Sequence, residues 1–542
     1  MHTAALTTGR SIGENMPEFT NLYSILHRAA SIRPEHASFV AGKRRFTYRH
    51  LLKDVDRAAD MFWQLGVRSG NTVAIVLRNS PEYVISYFAL AKLGAVSVPI
   101  NFLVSKVEEV AFILSDSGAK GVVTENEFLR TYLAAKKELP ELKFIISTDS
   151  GKKEGVTDFW HYMHHLHRHD QTRQPAPGGE NKLSILYTSG TTGNPKGVML
   201  SHYNIISNAK AAIETGMPCN KDVFICVLPM FHTFACTLNV VMPVMLGCKT
   251  VIVKNIVPPK PWLQEMGREG VTILAAVPQI FGVLAKEAKG IKKFFLRYWS
   301  FRKLRLCVSG AAPLPGNIKN SFEDTFNVPL LEGYGLTETS PFVSCNLINA
   351  RKHGSVGLPL PGVSVKIVNE EGITLNAGEE GEILVKGPNT TRGYHGNTEA
   401  TEALFSGDGW LKTGDIGVID KDGFLFIRDR KKDMVIVKGL KVFPAQIEQI
   451  INHHPKIQEN AVIGLPSHDG NETMKCFVVP KQGEELEKHE VTSYIKQNLD
   501  PYKRPKDIEI VSSLPKNSLQ KVLKRELVRL ELEKRAAAAA VS

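Results

Sequence analysis

The segment from Tyr187 to His202, YTSGTTGNPKGVMLSH, has the residue types that bind phosphate. Its glycines let the backbone come close to an anion, its hydroxyls can donate to phosphate oxygens, and Lys196 adds a positive charge. The spacing, with Pro195 directly before the lysine, excludes a Walker A loop. The segment therefore predicts a phosphate cradle of another kind. Its nucleotide-binding candidates are Thr188, Ser189, Gly190, Thr191, Thr192, Gly193 and Lys196.

Two further short motifs supply groups that suit a nucleotide and its metal. In EGYGLTE, Tyr334 offers an aromatic face on which adenine can stack. Thr337 and Glu338 follow it and carry hard oxygens of the kind that Mg²⁺ prefers beside phosphates. In WLKTGD, the Asp415 carboxylate can accept hydrogen bonds from both ribose hydroxyls. Phosphate, base, sugar and metal are thus each matched by a candidate group.

These motifs need a scaffold, and the first part of the chain predicts alternating helices and strands. The residues from Leu51 to Leu65 carry apolar side chains at a spacing of three to four, which indicates a helix. Continuous apolar runs such as TVAIVLRN, VTILAAVP and LRLCVSG indicate buried strands of a parallel sheet. We predict an α/β fold whose large N-terminal domain, residues 1–430, has parallel-rich sheets with helices.

The sequence pattern changes after Pro361. Short strands punctuated by glycine, as in VSVKIVNEEG, GEILVKGP and GFLFIRD, predict a small barrel-like or antiparallel subdomain at about 361–430. Beyond the charged run DRKKDM, helical and strand patterns alternate in a compact α+β unit. We predict that this unit is a small C-terminal domain of residues 431–542, with the boundary at about Arg430 to Lys432.

The composition is that of a large globular protein with a positive net charge. The chain has 542 residues, of which 43% are hydrophobic and 23% charged, and its formal net charge is +12. This charge favours an anionic partner, such as a membrane surface or a phosphorylated small molecule. The cations gather in four separate clusters, at Lys292 to Arg305, Arg428 to Lys441, Tyr502 to Lys506 and Lys521 to Arg525. Because they form no single basic stripe interleaved with aromatic residues, we expect no nucleic acid partner.

Three other features bear on the compartment and on metal binding. Seven cysteines without a CxxC pair and a start without a secretory signal predict a cytoplasmic protein with reduced core thiols. The uncharged run from Val223 to Cys248 is long enough to span a bilayer, but its prolines and polar residues predict a strand, a turn and a buried helix. The stretch HYMHHLHRHD at 161–170 favours a solvated loop over a metal site.

Six motifs in a fixed order carry a resemblance to a known family. They are LPMFHTF at 228–234, SGAAPL at 309–314, EGYGLTETSP at 332–341, WLKTGD at 410–415, DRKKDMVIVKGLKVFPAQIE at 429–448 and LPKNSLQKVLKREL at 514–527. With the phosphate-binding segment, this set resembles the adenylate-forming superfamily of acyl-CoA synthetases, luciferases and peptide-synthetase adenylation domains. It is most similar to the AMP-forming fatty-acyl-CoA ligases, over the chain from about Phe46 to Leu527.

The resemblance implies a two-step reaction that uses ATP, Mg²⁺ and coenzyme A. Lys521 is implied as the catalytic lysine that bridges the acid's carboxylate and the α-phosphate, although Gln520 stands where the family has glycine. Arg430 is implied to close on the ribose beside Asp415. Lys432 is implied as the hinge of a mobile C-terminal domain, which presents the catalytic lysine and then withdraws it.

The remaining roles are also carried over from the family's motifs. Lys438 and Gly439 are implied on the face that admits the coenzyme A thiol. The acyl pocket is implied at Phe231, His232 and Ala311, with His232 at its entrance. The catalytic set is implied to be Lys521, Thr337, Glu338 and His232, with Mg²⁺ at Thr337 and Glu338. Further nucleotide-binding residues are implied at Gly310, Ala311, Ala312, Glu332, Gly333, Tyr334, Gly335, Thr337, Asp415, Arg430, Lys432 and Lys521.

The class of acid substrate is inferred from the absence of an acidic residue near the LPMFHTF motif. An enzyme that activates amino acids needs an acidic residue near LPMFHTF to pair with the substrate ammonium, and none stands there. The uncharged run Phe224 to Leu246 suits an apolar tail, which favours a medium- or long-chain fatty acid. The alternatives are an aryl acid of the coumarate kind and a non-catalytic lipid- or carrier-binding protein of the same fold. We also expect small-molecule substrates as the main partners and peripheral membrane association. The sequence leaves the oligomeric state open, with a homodimer as one alternative.

Overall fold

The structure is a computed structural model, and it describes residues 19–149, 151, 153–165, 176–188, 195–437, 440–466, 472–517 and 521–541. Its strands, in chain order, are β1 (Ala37–Ala41), β2 (Arg44–Thr47), β3 (Thr72–Val76), β4 (Val96–Pro99), β5 (Ala119–Thr124), β6 (Phe144–Ser147), β7 (Thr157–Asp158), β8 (Lys182–Thr188), β9 (Lys196–Ser201), β10 (Val223–Cys226), β11 (Lys249–Ile252), β12 (Ile273–Ala276), β13 (Leu306–Ser309), β14 (Leu330–Gly335), β15 (Phe342–Cys345), β16 (Leu358–Pro359), β17 (Ser364–Val368), β18 (Gly381–Lys386), β19 (Leu411–Ile419), β20 (Leu425–Arg430), β21 (Val435–Val437), β22 (Leu440–Val442), β23 (Ile457–Pro466), β24 (Glu472–Pro480) and β25 (Asp507–Ile510).

The helices alternate with these strands over most of the chain. They are α1 (Leu22–Ile32), α2 (Tyr48–Gln64), α3 (Pro81–Leu93), α4 (Val107–Asp116), α5 (Leu129–Glu138), α6 (Phe159–His165), α7 (His202–Glu214), α8 (Thr233–Cys236), α9 (Met242–Leu246), α10 (Lys260–Glu269), α11 (Pro278–Glu287), α12 (Gly290–Phe295), α13 (Gly316–Phe326), α14 (Thr398–Leu404), α15 (Pro444–Ile451), α16 (Lys488–Asn498) and α17 (Lys524–Val541). Short π-helical turns lie at Thr237–Val241 and Leu296–Ser300, and short 3₁₀ turns lie at Thr337–Thr339, Lys431–Asp433 and Pro501–Lys503.

The first large sheet has seven strands in the order β7-β6-β5-β3-β4-β8-β9. Its neighbours pair in parallel, except that β8 and β9 pair antiparallel out to Thr188 and Lys196. The phosphate-binding segment therefore lies where the apolar strand β8 turns back into β9.

The second large sheet has nine strands in the order β16-β15-β14-β13-β12-β10-β11-β1-β2. Its central strands, from β14 to β1, are parallel, and antiparallel strands lie at both edges. The predicted buried runs VTILAAVP and LRLCVSG form the neighbouring strands β12 and β13. The prediction of an α/β fold with parallel-rich sheets is therefore confirmed.

Helix α3 shows how the core of these two sheets is filled. Every residue of α3 except Lys92 is buried, so the helix is covered on all sides. The Ser80 side chain accepts a hydrogen bond from the Tyr83 backbone at 3.2 Å, and Pro81 occupies the first turn. Gly94, with φ of 66°, ends the helix in the left-handed region. Local sequence signals thus fix both ends of a helix whose apolar surface requires burial.

The uncharged run from Val223 to Cys248 folds, as predicted, into a strand, a turn and a buried helix. Strand β10 lies inside the nine-stranded sheet. The helix formed by α8, the π-helical turn and α9 is buried at every residue. Among the residues that the structure describes, no helix combines the length and the apolar character needed to cross a membrane.

The last part of the chain forms smaller sheets. Strands β17, β18, β19 and β20 form an antiparallel sheet in that order, which confirms the antiparallel pattern predicted after Pro361. Beyond it, β23, β24 and β25 form a three-stranded sheet with its own apolar core, to which α15 and α16 contribute. The predicted α+β character is therefore confirmed. The domain boundary near Arg430 and the hinge at Lys432 stay predictions.

Candidate active site

The phosphate-binding segment enters the site at Thr188 and leaves its loop at Lys196. These two residues oppose each other in the β8–β9 pair, and the Thr188 hydroxyl donates to the Lys196 carbonyl at 3.5 Å. The intervening candidates, Ser189, Gly190, Thr191, Thr192 and Gly193, lie outside the described residues. The structure thus fixes both ends of the predicted cradle.

Tyr394 joins the phosphate-binding segment to the proposed magnesium ligands. The Lys196 ammonium lies 5.3 Å from the centre of the Tyr394 ring, within the range of a cation–π contact. The Tyr394 hydroxyl donates to Glu338 Oε1 at 3.0 Å. Burial, reinforced by the Glu338 carboxylate, raises the pKa of Tyr394 well above its ordinary value, so its hydroxyl keeps its proton. The two motifs are therefore held together by one tyrosine.

Sequence reasoning did not identify Tyr394 as a site residue. It stands in the run GPNTTRGYHGN, where a lone tyrosine among glycines and polar residues carries no spacing signal. Its neighbour Thr391 donates its backbone N–H to the Glu338 carbonyl at 2.8 Å, so the same run also holds the Glu338 backbone. Only the folded arrangement shows that this run borders the site.

The turn that carries Thr337 and Glu338 depends on a glycine. A Cβ atom at Gly335 would lie 1.8 Å from the Pro341 carbonyl oxygen, so no larger residue fits there without moving the backbone. A hydroxyl and a carboxylate at this turn are hard oxygen ligands that fit Mg²⁺. Within the described ranges, no group of three or more His, Cys, Asp and Glu residues is placed to hold a metal ion. This donor set suits a magnesium ion that takes its other ligands from phosphates and water.

Asp415 is held from two sides. The Tyr334 hydroxyl donates to Asp415 Oδ2 at 2.6 Å, and Arg430 Nε lies 3.2 Å from Asp415 Oδ1. Asp415 and Arg430 also oppose each other on the antiparallel strands β19 and β20. Burial and the Asp415 carboxylate raise the pKa of Tyr334 well above its ordinary value. The structure therefore brings the predicted adenine, ribose and closing residues into one hydrogen-bonded group.

Glu332 fixes the turn that contains Gly310, Ala311 and Ala312. Its carboxylate accepts a hydrogen bond from the Leu314 backbone at 2.9 Å, across the parallel strands β13 and β14. Burial raises the pKa of Glu332 to about 7. Ala311 is exposed, and its φ of 68° lies in the left-handed region. The turn thus presents its backbone at the carboxyl ends of the strands, where ligands of parallel sheets commonly bind.

Lys521 faces the group formed by Asp415 and Arg430. Its backbone N–H donates to Asn517 Oδ1 at 2.9 Å, which fixes the start of its segment. Burial, with a further contribution from the Arg430 cation, lowers the pKa of Lys521 to about 8, while Asp415 opposes this shift. Burial and Arg430 also lower the pKa of Lys432. The predicted catalytic lysine and hinge lysine therefore share one electrostatic environment with the predicted ribose site.

The predicted coenzyme A residues, Lys438 and Gly439, lie outside the described residues, and so does Gln520.

Phe231 and His232 belong to an aromatic cluster. The Phe231 ring packs edge-to-face on Phe102 at 5.6 Å and lies 4.4 Å from the His232 ring. Burial lowers the pKa of His232 to about 4, so the imidazole is neutral at pH 7. A Cβ atom at Gly310 would lie 3.1 Å from the Phe234 ring, so the LPMFHTF segment also meets the SGAAPL turn. A neutral aromatic wall thus borders the predicted nucleotide site.

The histidine-rich stretch at 161–170 is described only as far as His165. His161 and His165 stack at 4.2 Å on α6, and Arg57 contacts His164 at 3.1 Å. Residues 161–165 therefore belong to the surface helix α6, and the prediction of a loop is wrong for them. Its remaining residues, 166–170, lie outside the described part of the chain.

The fold and the site together define an enzyme that forms adenylates. A family model for AMP-binding enzymes matches residues 26–395, and a model for the C-terminal domain of AMP-binding enzymes matches residues 446–521. The chain therefore belongs to the AMP-binding enzyme family. The resemblance found in the sequence is confirmed, and with it the expectation of an AMP-forming acyl-CoA ligase that uses ATP, Mg²⁺ and coenzyme A.

Two relatives and one solved structure are similar to this chain and are named for different acids. The chain is 32% identical over 544 residues to a long-chain-fatty-acid–CoA ligase of Salmonella typhimurium strain LT2, covering 95% of each chain. It is 31% identical over 510 residues to a feruloyl-CoA synthase of an Amycolatopsis species, covering 93% of this chain and 97% of that one. It is also similar to the crystal structure of the anthranilate CoA ligase AuaEII in complex with anthranoyl-AMP. The TM-score is 0.86 and the identity 28%, over 98% of this chain and 100% of that one.

Proposed function

We propose that the protein activates a medium- or long-chain fatty acid in two steps, first as an acyl-adenylate and then as an acyl-CoA thioester. The observation that carries this proposal is the uncharged, buried helix from Thr233 to Leu246, which meets the SGAAPL turn through Phe234. An apolar acyl tail is stabilised by such surroundings, whereas the ammonium of an amino acid would be buried there without a counter-ion.

We propose the following roles for the adenylation step. The acid's carboxylate attacks the α-phosphate of ATP. A bond forms between a carboxylate oxygen and the α-phosphorus, and pyrophosphate leaves. Lys521 holds the carboxylate and the α-phosphate together, because its ammonium compensates the charge of both anions. Asp415 orients the ribose and Tyr334 the base, so the nucleotide is positioned before reaction. Lys196 contributes positive charge at the end of the phosphate-binding segment.

The metal would be held by Glu338, with Thr337 beside it. Bound Mg²⁺ would neutralise negative charge on the phosphates and so ease the departure of pyrophosphate. Tyr394 is proposed to keep the Glu338 carboxylate in position through its 3.0 Å hydrogen bond. This hydrogen bond is already formed within the protein chain, without a bound ligand.

The second step needs a thiol and a rearranged site. We propose that the C-terminal domain of residues 431–542 turns about Lys432, withdraws Lys521 and brings Lys438 and Gly439 to the entrance for coenzyme A. The thiolate then attacks the acyl carbon, the thioester forms, and AMP leaves with the bonding electron pair. The phosphates of coenzyme A match the positive charge of this part of the chain.

His232 fits a gating role better than that of a general base. Its lowered pKa of about 4 makes it a weak base at pH 7. With Phe231 it forms part of the aromatic wall described above. We propose that the two side chains shape the entrance for the acid.

An aryl acid is the second candidate. The cluster of Phe102, Phe231 and His232 offers edge-to-face and offset partners for an aromatic ring. The names of the feruloyl-CoA synthase and of the anthranilate ligase point in the same direction. A non-catalytic protein of the same fold is disfavoured, since Lys196, Glu338, Asp415, Arg430 and Lys521 are all present.

A panel of acids tests this proposal. We would measure pyrophosphate release and acyl-CoA formation with acetate, octanoate, palmitate, oleate, benzoate and coumarate at equal concentrations. The proposal predicts the highest kcat/KM with octanoate, palmitate or oleate. A higher kcat/KM with benzoate or coumarate would assign the aryl acid instead, and no acid-dependent release would favour a non-catalytic protein.

The compartment and the partners beyond small molecules are also proposals. We propose a cytoplasmic enzyme in peripheral contact with a membrane, because long-chain acids partition into lipid. A homodimer stays one alternative, tested by the mass of the protein in solution.

A further inference from the structure

The helical segment Gly290–Ser300, formed by α12 and the following π-helical turn, exposes large apolar side chains. Ile291 is 89% exposed, Phe294 66%, Tyr298 61% and Trp299 45%. Among the described residues, the exposed Phe and Trp side chains all lie in this segment, at Phe294, Phe295 and Trp299. Apolar side chains gathered on a surface commonly mark an interaction site.

These side chains form one outward face. They recur at a spacing of three to four, and the Phe294 and Tyr298 rings lie 4.7 Å apart. The buried residues of the segment, Leu296 and Ser300, lie on the opposite face and attach it to the protein. Trp299 is the least exposed of these four side chains and also packs against α10, because a Cβ atom at Gly267 would lie 2.5 Å from its indole nitrogen.

Cations are frequent in the sequence around this face. From Lys286 to Lys303 the sequence has seven lysines and arginines and one acid, Glu287. Arg297 lies 5.8 Å from the Tyr298 ring centre, so a guanidinium borders the apolar surface. A shallow open recess beside it is lined by Lys286, Glu287, Lys289, Gly290, Ile291 and Lys292. The sequence cluster that begins at Lys292 therefore does combine basic and aromatic residues, but only the structure shows that Phe294, Phe295, Tyr298 and Trp299 lie outside the core.

We propose that this aromatic–basic patch, comprising Ile291, Phe294, Phe295, Tyr298 and Trp299 with the cations around them, docks on an anionic phospholipid surface. Aromatic and aliphatic side chains of such a helix enter the boundary between headgroups and acyl chains. The surrounding lysines and arginines contact the lipid phosphates, and their stems cover apolar surface. This inference names the surface for the proposed peripheral contact and rests on that part of the proposed function.

The patch is connected to the candidate site by one helix. Gly310 N–H donates to the carbonyl of Ala276 at 3.4 Å, so the end of β12 lies beside the SGAAPL turn. Helix α11 begins two residues later, at Pro278, and leads towards the patch. Its ten residues span about 15 Å at 1.5 Å per residue. Docking would therefore place the site close to the lipid from which a long-chain acid is taken.

A second copy of the chain is a less suitable occupant. Two such patches meeting face to face would bring their cations together, and like charges at an interface are unfavourable. An anionic bilayer supplies both the apolar layer and the counter-charge. A dimer through this surface is therefore an outcome of the test rather than the proposal.

Vesicle flotation of the full-length protein tests the proposal. The vesicles are phosphatidylcholine alone, or phosphatidylcholine with about one third phosphatidylglycerol. The patch variants are the double substitution Phe294→Ser, Tyr298→Ser and the single substitution Arg297→Glu. The matched controls are Ile373→Ser and Lys421→Glu, which change exposed residues elsewhere. Each substitution changes an exposed side chain, and circular dichroism checks that every variant is folded.

The wild type and both controls should float with anionic vesicles and much less with neutral ones. Each patch variant should lower the partition coefficient by about tenfold or more, because lost apolar burial and reversed charge each weaken interfacial binding. Tryptophan emission should shift to the blue on adding anionic vesicles, and Trp299→Phe should reduce that shift.

Three results would overturn the proposal: no flotation of the wild type, equal flotation with neutral vesicles, or unchanged flotation of the patch variants. Flotation failure together with a dimer that Phe294→Ser, Tyr298→Ser dissociates would assign the patch to self-association. Ligation of octanoate, which dissolves in water, should be unchanged in all patch variants. A protein that floats but ligates no acid would contradict the proposed reaction and leave the membrane surface intact.

Discussion

The Tyr334 hydroxyl donates to Asp415 Oδ2 at 2.6 Å, and Arg430 Nε approaches the other carboxylate oxygen at 3.2 Å. Two segments of the chain, the EGYGLTE motif and the β19–β20 pair, are therefore joined at the carboxylate proposed to bind ribose. The orientation of this carboxylate is fixed by the chain itself. A group oriented in advance loses less freedom when its ligand binds.

The first prediction concerns Tyr334. Tyr334→Phe should weaken ATP binding about tenfold, because a hydrogen bond to a charged group contributes about 1.5–3 kcal/mol and here orients Asp415. The dissociation constant of ATP, measured by titration calorimetry, checks this result. Tyr203→Phe, at an exposed tyrosine, serves as the control and should bind ATP like the wild type. Unchanged ATP affinity in Tyr334→Phe would show that the hydrogen bond does not contribute to the nucleotide site.

The second prediction concerns the positioning role of Tyr394. Tyr394→Phe should raise the Mg²⁺ concentration needed for half-maximal pyrophosphate release several-fold, because Glu338 loses the donor that orients it. Excess Mg²⁺ should restore most of the rate. Glu338→Gln should lose more activity and recover less, since it removes the charge itself. A Tyr394→Phe variant with lower kcat at every Mg²⁺ concentration and the wild-type Mg²⁺ requirement would contradict the positioning role.

The third prediction follows from the lowered pKa of Lys521. Burial and Arg430 lower this pKa from 10.5 to about 8, so the ammonium is present below pH 8 and is lost as the pH rises through it. For adenylate formation, kcat/KM should therefore fall above about pH 8, because this ratio reports the free enzyme. The profile of kcat should fall at a higher pH, since the bound phosphates favour the charged lysine.

The variant Arg430→Gln tests whether the alkaline limb of the pH profile belongs to Lys521 or to another group. Removing the arginine removes a cation that lowers the pKa of Lys521, so the alkaline limb of kcat/KM should move to higher pH even though the rate is lower. A limb that stays in place, or moves to lower pH, would assign the titration to another group.

The fourth prediction is that Lys521 is needed for adenylate formation but not for thioester formation. Lys521→Ala should reduce adenylate formation by about a hundredfold or more, because the charge that joins the two anions is lost. Thioester formation from supplied acyl-adenylate and coenzyme A should change little, since this step does not use Lys521. Lys506→Ala, an exposed lysine in the same part of the chain, is the control. Equal losses in both half-reactions would contradict the proposed role.

Much of the fold was predictable because local patterns and burial agree. The parallel strands β12 and β13 are continuous apolar runs, and the helix from Thr233 to Leu246 has an uncharged sequence that only a buried position accommodates. The candidate site was predictable where a motif names its residues in order, as for Tyr334 and Asp415. Spacing does not give distances, however, so the hydrogen bond between these two residues appears only in the folded chain.

Two features could not be predicted for physical reasons. Tyr394 contacts Glu338 across 56 positions of sequence, and no periodic pattern encodes a single long-range contact. The segment from Ile291 to Trp299 has an apolar content that is also typical of a core helix. Its exposure depends on how the π-helical turn at Leu296–Ser300 attaches to α10, which is a tertiary property.

The proposed reaction depends on attack of the acid's carboxylate on the α-phosphate of ATP at this site. Its most direct test is one turnover with palmitate labelled with oxygen-18 in both carboxylate oxygens, followed by mass spectrometry of the nucleotide and the phosphate products. Attack of the carboxylate on the α-phosphate predicts one labelled oxygen in each AMP released and none in pyrophosphate. Labelled orthophosphate with ADP, or unlabelled AMP formed alongside palmitoyl-CoA, would contradict it.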